Sequence, residues 1–379
     1  MIMGTKTIQR CTDCGVVIEE GYCPRCPRCA GLVEVFHDLD GARVDGSADS
    51  TALRYFDYLP VADRHNVINL GEGNTPCIHA RKLGNLFGLD LLYLKVEGRN
   101  PSGSTKDRMA AIVLSIFKEL GLTEFVSSST GNSSNALARG IGLHPEFQMH
   151  LFIGGDFASR FRYANDGVRL HVLEGFNFTD TFNHSRDYAT RHGMPFEGGF
   201  FNWGRREGLK LAYFEAVEQI PHPINWYVQA ASSAMGVYGT WKGALELVET
   251  HRIAKSPRMV CVQQESCAPI VSAFEDDSPE ILPQHIVSNP DGIAKAILRG
   301  NPSGCYPYVR EMLLKSNGRA VRVTEQEIIE ARTLLNEFEN LDCCYASAAT
   351  IAAVRKMSAS GDMATDDCVL LNLTGGGHV

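Results

Sequence analysis

The chain has 379 residues, 44% of them hydrophobic and 21% charged, with a net charge of −8. That length and composition imply a sizeable core, either two domains or one large α/β unit with appendages. An acidic balance without a long basic run gives no electrostatic support to a nucleic-acid role, and no apolar stretch approaches the ~18 residues of a membrane span. Residues 1–10 carry no apolar signal segment, so the expected location is cytoplasmic. The twelve cysteines are then expected as thiols or metal ligands, not disulfides.

Five of those cysteines cluster near the start, in Cys11-Thr12-Asp13-Cys14 and Cys23-Pro24-Arg25-Cys26-Pro27-Arg28-Cys29. Two CxxC pairs turn four sulfurs toward one tetrahedral ion, which predicts a structural zinc ribbon. Cys26-Pro27-Arg28-Cys29 reads as the second knuckle, so the expected ligands are Cys11, Cys14, Cys26 and Cys29, with Cys23 outside the set. The alternative is a ribbon that holds no metal. Residues 33–63 read as an irregular linker packed on the main body. Leu70-Gly71-Glu72-Gly73-Asn74-Thr75-Pro76 reads as a tight loop.

The apolar run 91–97 predicts a buried strand, and the spacing over 109–120 predicts a helix. Between them, Pro101 and Gly103 break the chain in Asn100-Pro101-Ser102-Gly103-Ser104-Thr105-Lys106-Asp107-Arg108. Lys106 falls in the first helical turn, where the positive end of the helix dipole disfavours an ammonium. A neutral lysine at a strand end is what a Schiff base to an aldehyde cofactor requires. A surface lysine opening a solvated helix is the plain alternative.

The next predicted strand, 124–128, runs into Ser129-Thr130-Gly131-Asn132-Ser133-Ser134-Asn135 and a helix over 136–143. A hydroxyl-rich loop at a helix N-terminus offers backbone N–H groups to a carboxylate; simple N-capping by Ser or Thr reads the same way. Strands are predicted over 149–153, 169–173 and 226–230, and helices over 177–191, 205–219 and 237–249. This alternation points to parallel sheets covered by helices, with ligands at the carboxyl ends of strands. Ala231-Ser232-Ser233-Ala234-Met235-Gly236 suits close approach to a phosphate, although small residues also permit tight helix–sheet packing. The chain ends in a buried strand, then Thr374-Gly375-Gly376-Gly377. Either this is a loose tail, or the strand delivers Thr374 to the strand-end face.

Taken together, Gly71-Glu72-Gly73-Asn74-Thr75-Pro76, Asn100 through Arg108, Ser129 through Asn132, Arg205-Arg206-Glu207-Gly208 and Leu373-Thr374-Gly375 resemble the fold-type II enzymes that use pyridoxal 5′-phosphate, the threonine synthases most closely. The N-terminal CxxC ribbon fits that resemblance. It implies that Lys106 carries the Schiff base, that Asn132 meets the cofactor's phenolic oxygen, and that Thr374 meets its pyridine nitrogen. Ser129, Thr130 and Gly131 would hold the substrate carboxylate. Ser232, Ser233, Ala234, Met235 and Gly236 would cradle the cofactor phosphate. Asn202 and Arg205 would grip a substrate phosphate, with Glu207 pairing Arg206 and leaving Arg205 open. Two departures stand out. The Ser-Ser-Ala-Met-Gly loop and Glu197-Gly198-Gly199-Phe200-Phe201-Asn202 look closer to cysteate synthases, and Gly199 stands where a second Asn would help.

The expected architecture is two parallel-sheet α/β domains with a zinc-ribbon appendage: 1–40 the ribbon, 41–100 with 200–379 the large cofactor domain, and 101–199 the small domain. The expected function is replacement or elimination on a small amino acid, first O-phosphohomoserine to threonine and phosphate. The alternatives are β-replacement on O-phosphoserine and a threonine or serine dehydratase. A pseudo-enzyme whose ribbon binds a partner is the non-enzyme alternative. The resemblance also implies a homodimer, with no nucleic-acid or membrane partner.

Overall fold

The computed structural model describes residues 7–19, 21–129 and 131–377. In chain order its strands are β1 Thr7–Cys11, β2 Val17–Ile18, β3 Val33–His37, β4 Cys77–His79, β5 Leu91–Val96, β6 Glu124–Ser128, β7 Gln148–Gly154, β8 Val168–Leu173, β9 Trp226–Ala230, β10 Arg258–Gln264, β11 Arg319–Val323 and β12 Cys368–Leu373. The α-helices are α1 Thr51–Arg54, α2 Arg81–Phe87, α3 Lys106–Glu119, α4 Asn132–Leu143, α5 Phe178–His192, α6 Trp203–Gln219, α7 Met235–Glu249, α8 Pro269–Glu275, α9 Tyr306–Lys315, α10 Glu325–Glu339 and α11 Tyr345–Ala359. Among the described residues, no helix is long and apolar enough to cross a membrane.

The chain divides into two compact units. One comprises residues 1–73 and 106–211, the other 74–105 and 212–379. In the first, β2-β1-β3 form a small antiparallel sheet that carries the cysteine knuckles. This corrects the reading of 33–63 as a linker: Val33–His37 pairs along β1, with Cys11 opposite Val33. Its first three residues are buried, so its apolar character reflects a place in the ribbon sheet.

The same unit holds a parallel sheet, β6-β7-β8. The inner strand β7 is buried along all but its first residue, whereas β8 at the edge is half-exposed. Parallel strands need crossovers; α4 supplies the one from β6 to β7, residues 155–167 supply the one from β7 to β8, and α5 follows β8. Asn177 caps α5 through its side chain, and Gly193 ends it at φ 62°. Helix α6 packs closely on α3 because Gly208 has no side chain: a Cβ there would lie 2.4 Å from the Arg108 carbonyl oxygen.

The second unit is built on a six-stranded sheet in the order β11-β10-β9-β12-β5-β4, parallel except for β4 against β5. Every residue of β12 and β9 is buried, as expected of central strands covered on both faces. Helix α11 supplies Ala348, Ala349, Ile351, Ala352 and Val354 to the core beside Val228, Val260, Leu94 and Leu371. Register aligns the strand ends: Leu373 lies opposite Val96, and Leu371 opposite both Leu94 and Val228. The loops after β5, β9 and β12 therefore leave the sheet on one side.

Candidate active site

In the second unit, the loop after β5 is held by a buried carboxylate. Glu97 is fully buried; its Oε1 accepts from Thr75 Oγ1 at 2.6 Å and its Oε2 from Asn100 Nδ2 at 3.1 Å. The loop then meets the tail after β12. Thr105 N donates to Thr374 O at 2.9 Å, Gly376 N donates to Gly103 O at 3.0 Å, and Ser104 bridges to Gly375. Ser347 Oγ donates to Gly375 O and accepts from Gly375 N, both at 3.1 Å. The tail passes so close that a Cβ on Gly98 would lie 2.6 Å from Gly376 N. The glycine-rich end is thus a stitched strand extension and not a loose tail. It sets Thr374, half-buried, beside Thr105, the residue before Lys106. Lys106 is half-buried and is the first residue of α3.

After β9, the chain turns through Ser232 and Ser233, both half-buried, to Ala234, which has φ 57°. That left-handed residue lets Met235 open the 15-residue α7 with no side-chain cap. Uncapped first-turn N–H groups make an anion cradle. Beneath it, a Cβ on Gly236 would lie 2.3 Å from Gln229 Nε2, so a larger residue there would have to push the Gln229 side chain aside. The Thr374 hydroxyl and the uncapped start of α7, at aligned strand ends of the second unit, have the chemistry that a pyridine nitrogen and a phosphate would need, and Lys106 supplies an amine directly after Thr105 in the chain.

In the first unit, Ser129 Oγ accepts from Gly131 N at 3.2 Å and from Ser134 N at 3.3 Å. The N-capping reading of this loop is therefore realised in part. Gly131 has φ 150°, and a Cβ there would lie 3.1 Å from the Arg160 guanidinium carbon. Arg160 thus adds positive charge to the loop, a contribution that sequence spacing did not signal. Asn132 opens α4 and is half-buried. Thr130 lies outside the described residues. Ser128 Oγ, at the carboxyl end of β6, is buried without a hydrogen-bond partner among the described residues.

Asn202 and Arg205 are 1% and 5% exposed. Helix α6 starts at Trp203, so Arg205 lies in its first turn. Its guanidinium is not open, however. Both Nε and an Nη donate to the two oxygens of Glu197. The other Nη donates to Ser133 Oγ at 3.2 Å, which brings Arg205 to the start of α4. Asn202 Nδ2 also donates to Glu197, at 2.8 Å. The neighbouring charges meet carboxylates and cations from elsewhere in the fold: Arg206 pairs with Glu34 at 2.7 Å, and Glu207 holds His37 at 2.8 Å and Lys210 at 2.6 Å. The physical reason is the ribbon, whose β3 brings Glu34 and His37 against α6.

The ribbon's four predicted sulfurs converge. Cys11 and Cys29 are 3.5 Å apart, Cys14 and Cys26 3.6 Å, and all four lie within 4.8 Å of one another. The tetrahedral edge for zinc–thiolate bonds of about 2.3 Å is about 3.8 Å, so the set fits that ion. Cys23 instead donates to Arg25 O at 2.9 Å. Next to it Tyr22 reaches away, donating its hydroxyl to Glu197 O at 2.7 Å. Burial, and then the Glu197 charge, hold that phenol well above its usual range.

A family profile described as "Pyridoxal-phosphate dependent enzyme" matches residues 68–375. The chain belongs to that family and is a pyridoxal-phosphate-dependent lyase of the fold-type II kind. Within it, the chain is similar to the threonine synthase of Methanocaldococcus jannaschii, 31% identical over 98% of this chain and 92% of that protein. It is 29% identical to the threonine synthase of Methanosarcina acetivorans, over 97% and 90%. Maize serine racemase shares the fold, with a TM-score of 0.67 at 17% identity over 80% of this chain and 88% of that one.

Proposed function

We propose that the protein catalyses a threonine synthase-type replacement, converting O-phosphohomoserine and water to threonine and phosphate. The observation that carries this reading is the near-full-length similarity to threonine synthases from two archaea. Bound to the protein, the cofactor would withdraw electrons from the substrate α-carbon. Lys106 Nζ would hold the cofactor's aldehyde and, once released by the substrate amine, move the α-proton. Ser129, Thr130 and Gly131 would orient the substrate carboxylate, with the Arg160 guanidinium close to Gly131, and Asn132 would meet the phenolic oxygen. Ser232 through Gly236 would hold the cofactor phosphate on α7. Thr374 offers the ring nitrogen a neutral hydroxyl. Unlike a carboxylate, it would not keep that nitrogen protonated, which favours elimination and replacement over transamination. Asn202 and Arg205 would hold the substrate phosphate in place of Glu197.

A second reading rests on that same glutamate. With Glu197 retained on Arg205, the pocket is charge-neutral and suits a hydroxyl leaving group, as in serine or threonine dehydration. The test is a parallel assay of phosphate release from O-phosphohomoserine and O-phosphoserine and of 2-oxoacid formation from serine and threonine. Phosphate release with threonine formation from phosphohomoserine supports the first reading. Oxoacid formation without phosphate release overturns it in favour of the dehydratase, and release from phosphoserine alone favours β-replacement.

A further inference from the structure

Glu197 occupies a donor set suited to a larger anion. Two guanidinium N–H groups of Arg205, Asn202 Nδ2 at 2.8 Å and Ser127 Oγ at 3.4 Å all point at its carboxylate. A guanidinium fork with an added amide and hydroxyl matches a tetrahedral oxyanion as well as a carboxylate. Arg205 lies in the first turn of the 17-residue α6, and its other contact, Ser133, in the first turn of the 12-residue α4. Both positive helix ends therefore favour an anion here. The other basic residues of that stretch are committed elsewhere, Arg206 to Glu34 and Lys210 to Glu207.

The tether of this carboxylate is fixed on one side and permissive on the other. Glu197 N donates to Val126 O at 2.8 Å, and Glu197 O accepts from Tyr22. Immediately after it come Gly198 and Gly199, with φ of 84° and 60°. Two successive left-handed glycines let the loop re-aim the side chain at low backbone cost. Glu197 is 1% exposed, so withdrawing it from Arg205 without a replacement would leave a buried cation unpaired.

We propose that Glu197 is an internal stand-in for the substrate phosphate. It keeps the Arg205–Asn202 pocket closed to neutral distal groups and is displaced by a phosphate, so it sets the discrimination between phosphorylated and unphosphorylated substrates. This rests on the phosphate reading of Arg205. A phosphate outbids the carboxylate because it brings more charge and more acceptor oxygens to the same donors; a hydroxyl brings neither.

The experiment measures inorganic phosphate binding to the holoenzyme, whose cofactor-phosphate cradle is already filled, by calorimetry and by the phosphate-dependent rise in Tm. Glu197→Gln keeps the shape and an acceptor but removes the competing charge. It should bind phosphate at least tenfold more tightly than wild type, show a larger Tm rise with phosphate, and lower KM for the phosphorylated substrate. Arg205→Ala should abolish phosphate binding. Phosphate affinity in folded Glu197→Gln equal to or below wild type, with Arg205→Ala still losing it, overturns the stand-in role alone. Phosphate affinity unchanged in both variants overturns the phosphate reading and the stand-in role with it. Should Glu197→Gln not fold, Glu197→Asp, which keeps the charge but loses reach, decides on the same criterion.

Discussion

Glu72 couples a buried carboxyl to pH in a way that can be measured. It is 4% exposed; its Oε2 accepts from Leu70 N at 2.8 Å, and its Oε1 is buried without a hydrogen-bond partner among the described residues. Burial pushes its carboxyl from 4.5 up to about 7, against the opposing pull of its own loop's N–H groups and of Arg108. In the unfolded chain the group loses its proton near the ordinary value, whereas the folded protein keeps it to about 7. The folded state therefore binds more protons between those values. Its contribution to stability is whole below 4.5 and is lost as pH rises through about 7. At 1.36 kcal/mol per pH unit, that gap is worth about 3 kcal/mol. Glu72→Gln removes the titration and keeps an acceptor for Leu70 N. Urea unfolding followed by tryptophan fluorescence at pH 5, 6, 7 and 8 should show the variant gaining on wild type by about 3 kcal/mol across the range. A difference between the two proteins that stays flat with pH would show that Glu72 ionises normally in the fold and that the burial argument is wrong.

Three further outcomes are expected. Lys95 Nζ, with its side chain 1% exposed, donates to Thr75 O at 2.7 Å, Glu215 Oε2 at 2.8 Å and Gln219 Oε1 at 2.9 Å. Lys95→Met removes the buried ammonium 2.8 Å from Glu215 and should cost about 3–5 kcal/mol in urea unfolding; a loss under about 1 kcal/mol would mean the pair is dispensable. Purified protein should carry about one equivalent of zinc by elemental analysis. Chelation should shift tryptophan emission, because Tyr22 packs 5.8 Å from Trp203 between ring centroids, and Cys26→Ser should lower metal content more than Cys23→Ser. The reverse order would place Cys23 in the ligand set. Lys106→Ala should fold, lose the cofactor's visible absorption band and lose turnover; turnover within a few-fold of wild type would remove Lys106 from the chemistry.

Local pattern was enough for much of the frame. The continuous apolar runs before Lys106 and Thr374 announced central strands because a strand buried on both faces has no polar alternation to hide it. Glycine and proline marked where those strands stop, and they placed Lys106 at a helix start. The two CxxC pairs announced the ribbon because each ligand pair is local. Local pattern misread 33–63, since a five-residue strand at the edge of a small sheet looks like any short apolar cluster. It did not reveal the carboxylates that Arg205 and Arg206 meet in the folded chain. Helical spacing shows which charges are near in sequence, and it made Glu207 the natural mate of Arg206. It does not show that β3 carries Glu34 to the fully buried Arg206. Nor does it show that a loop continuing the β6 edge carries Glu197 to Arg205. A buried guanidinium takes whichever carboxylate the packed chain brings within reach, and that choice spans 172 residues for Glu34 and Arg206 in the sequence. The order of strands, helices and chemical groups was therefore set by residues acting on near neighbours. Which charges face each other was decided only by folding, because ion pairing in a low-dielectric interior depends on distance in space.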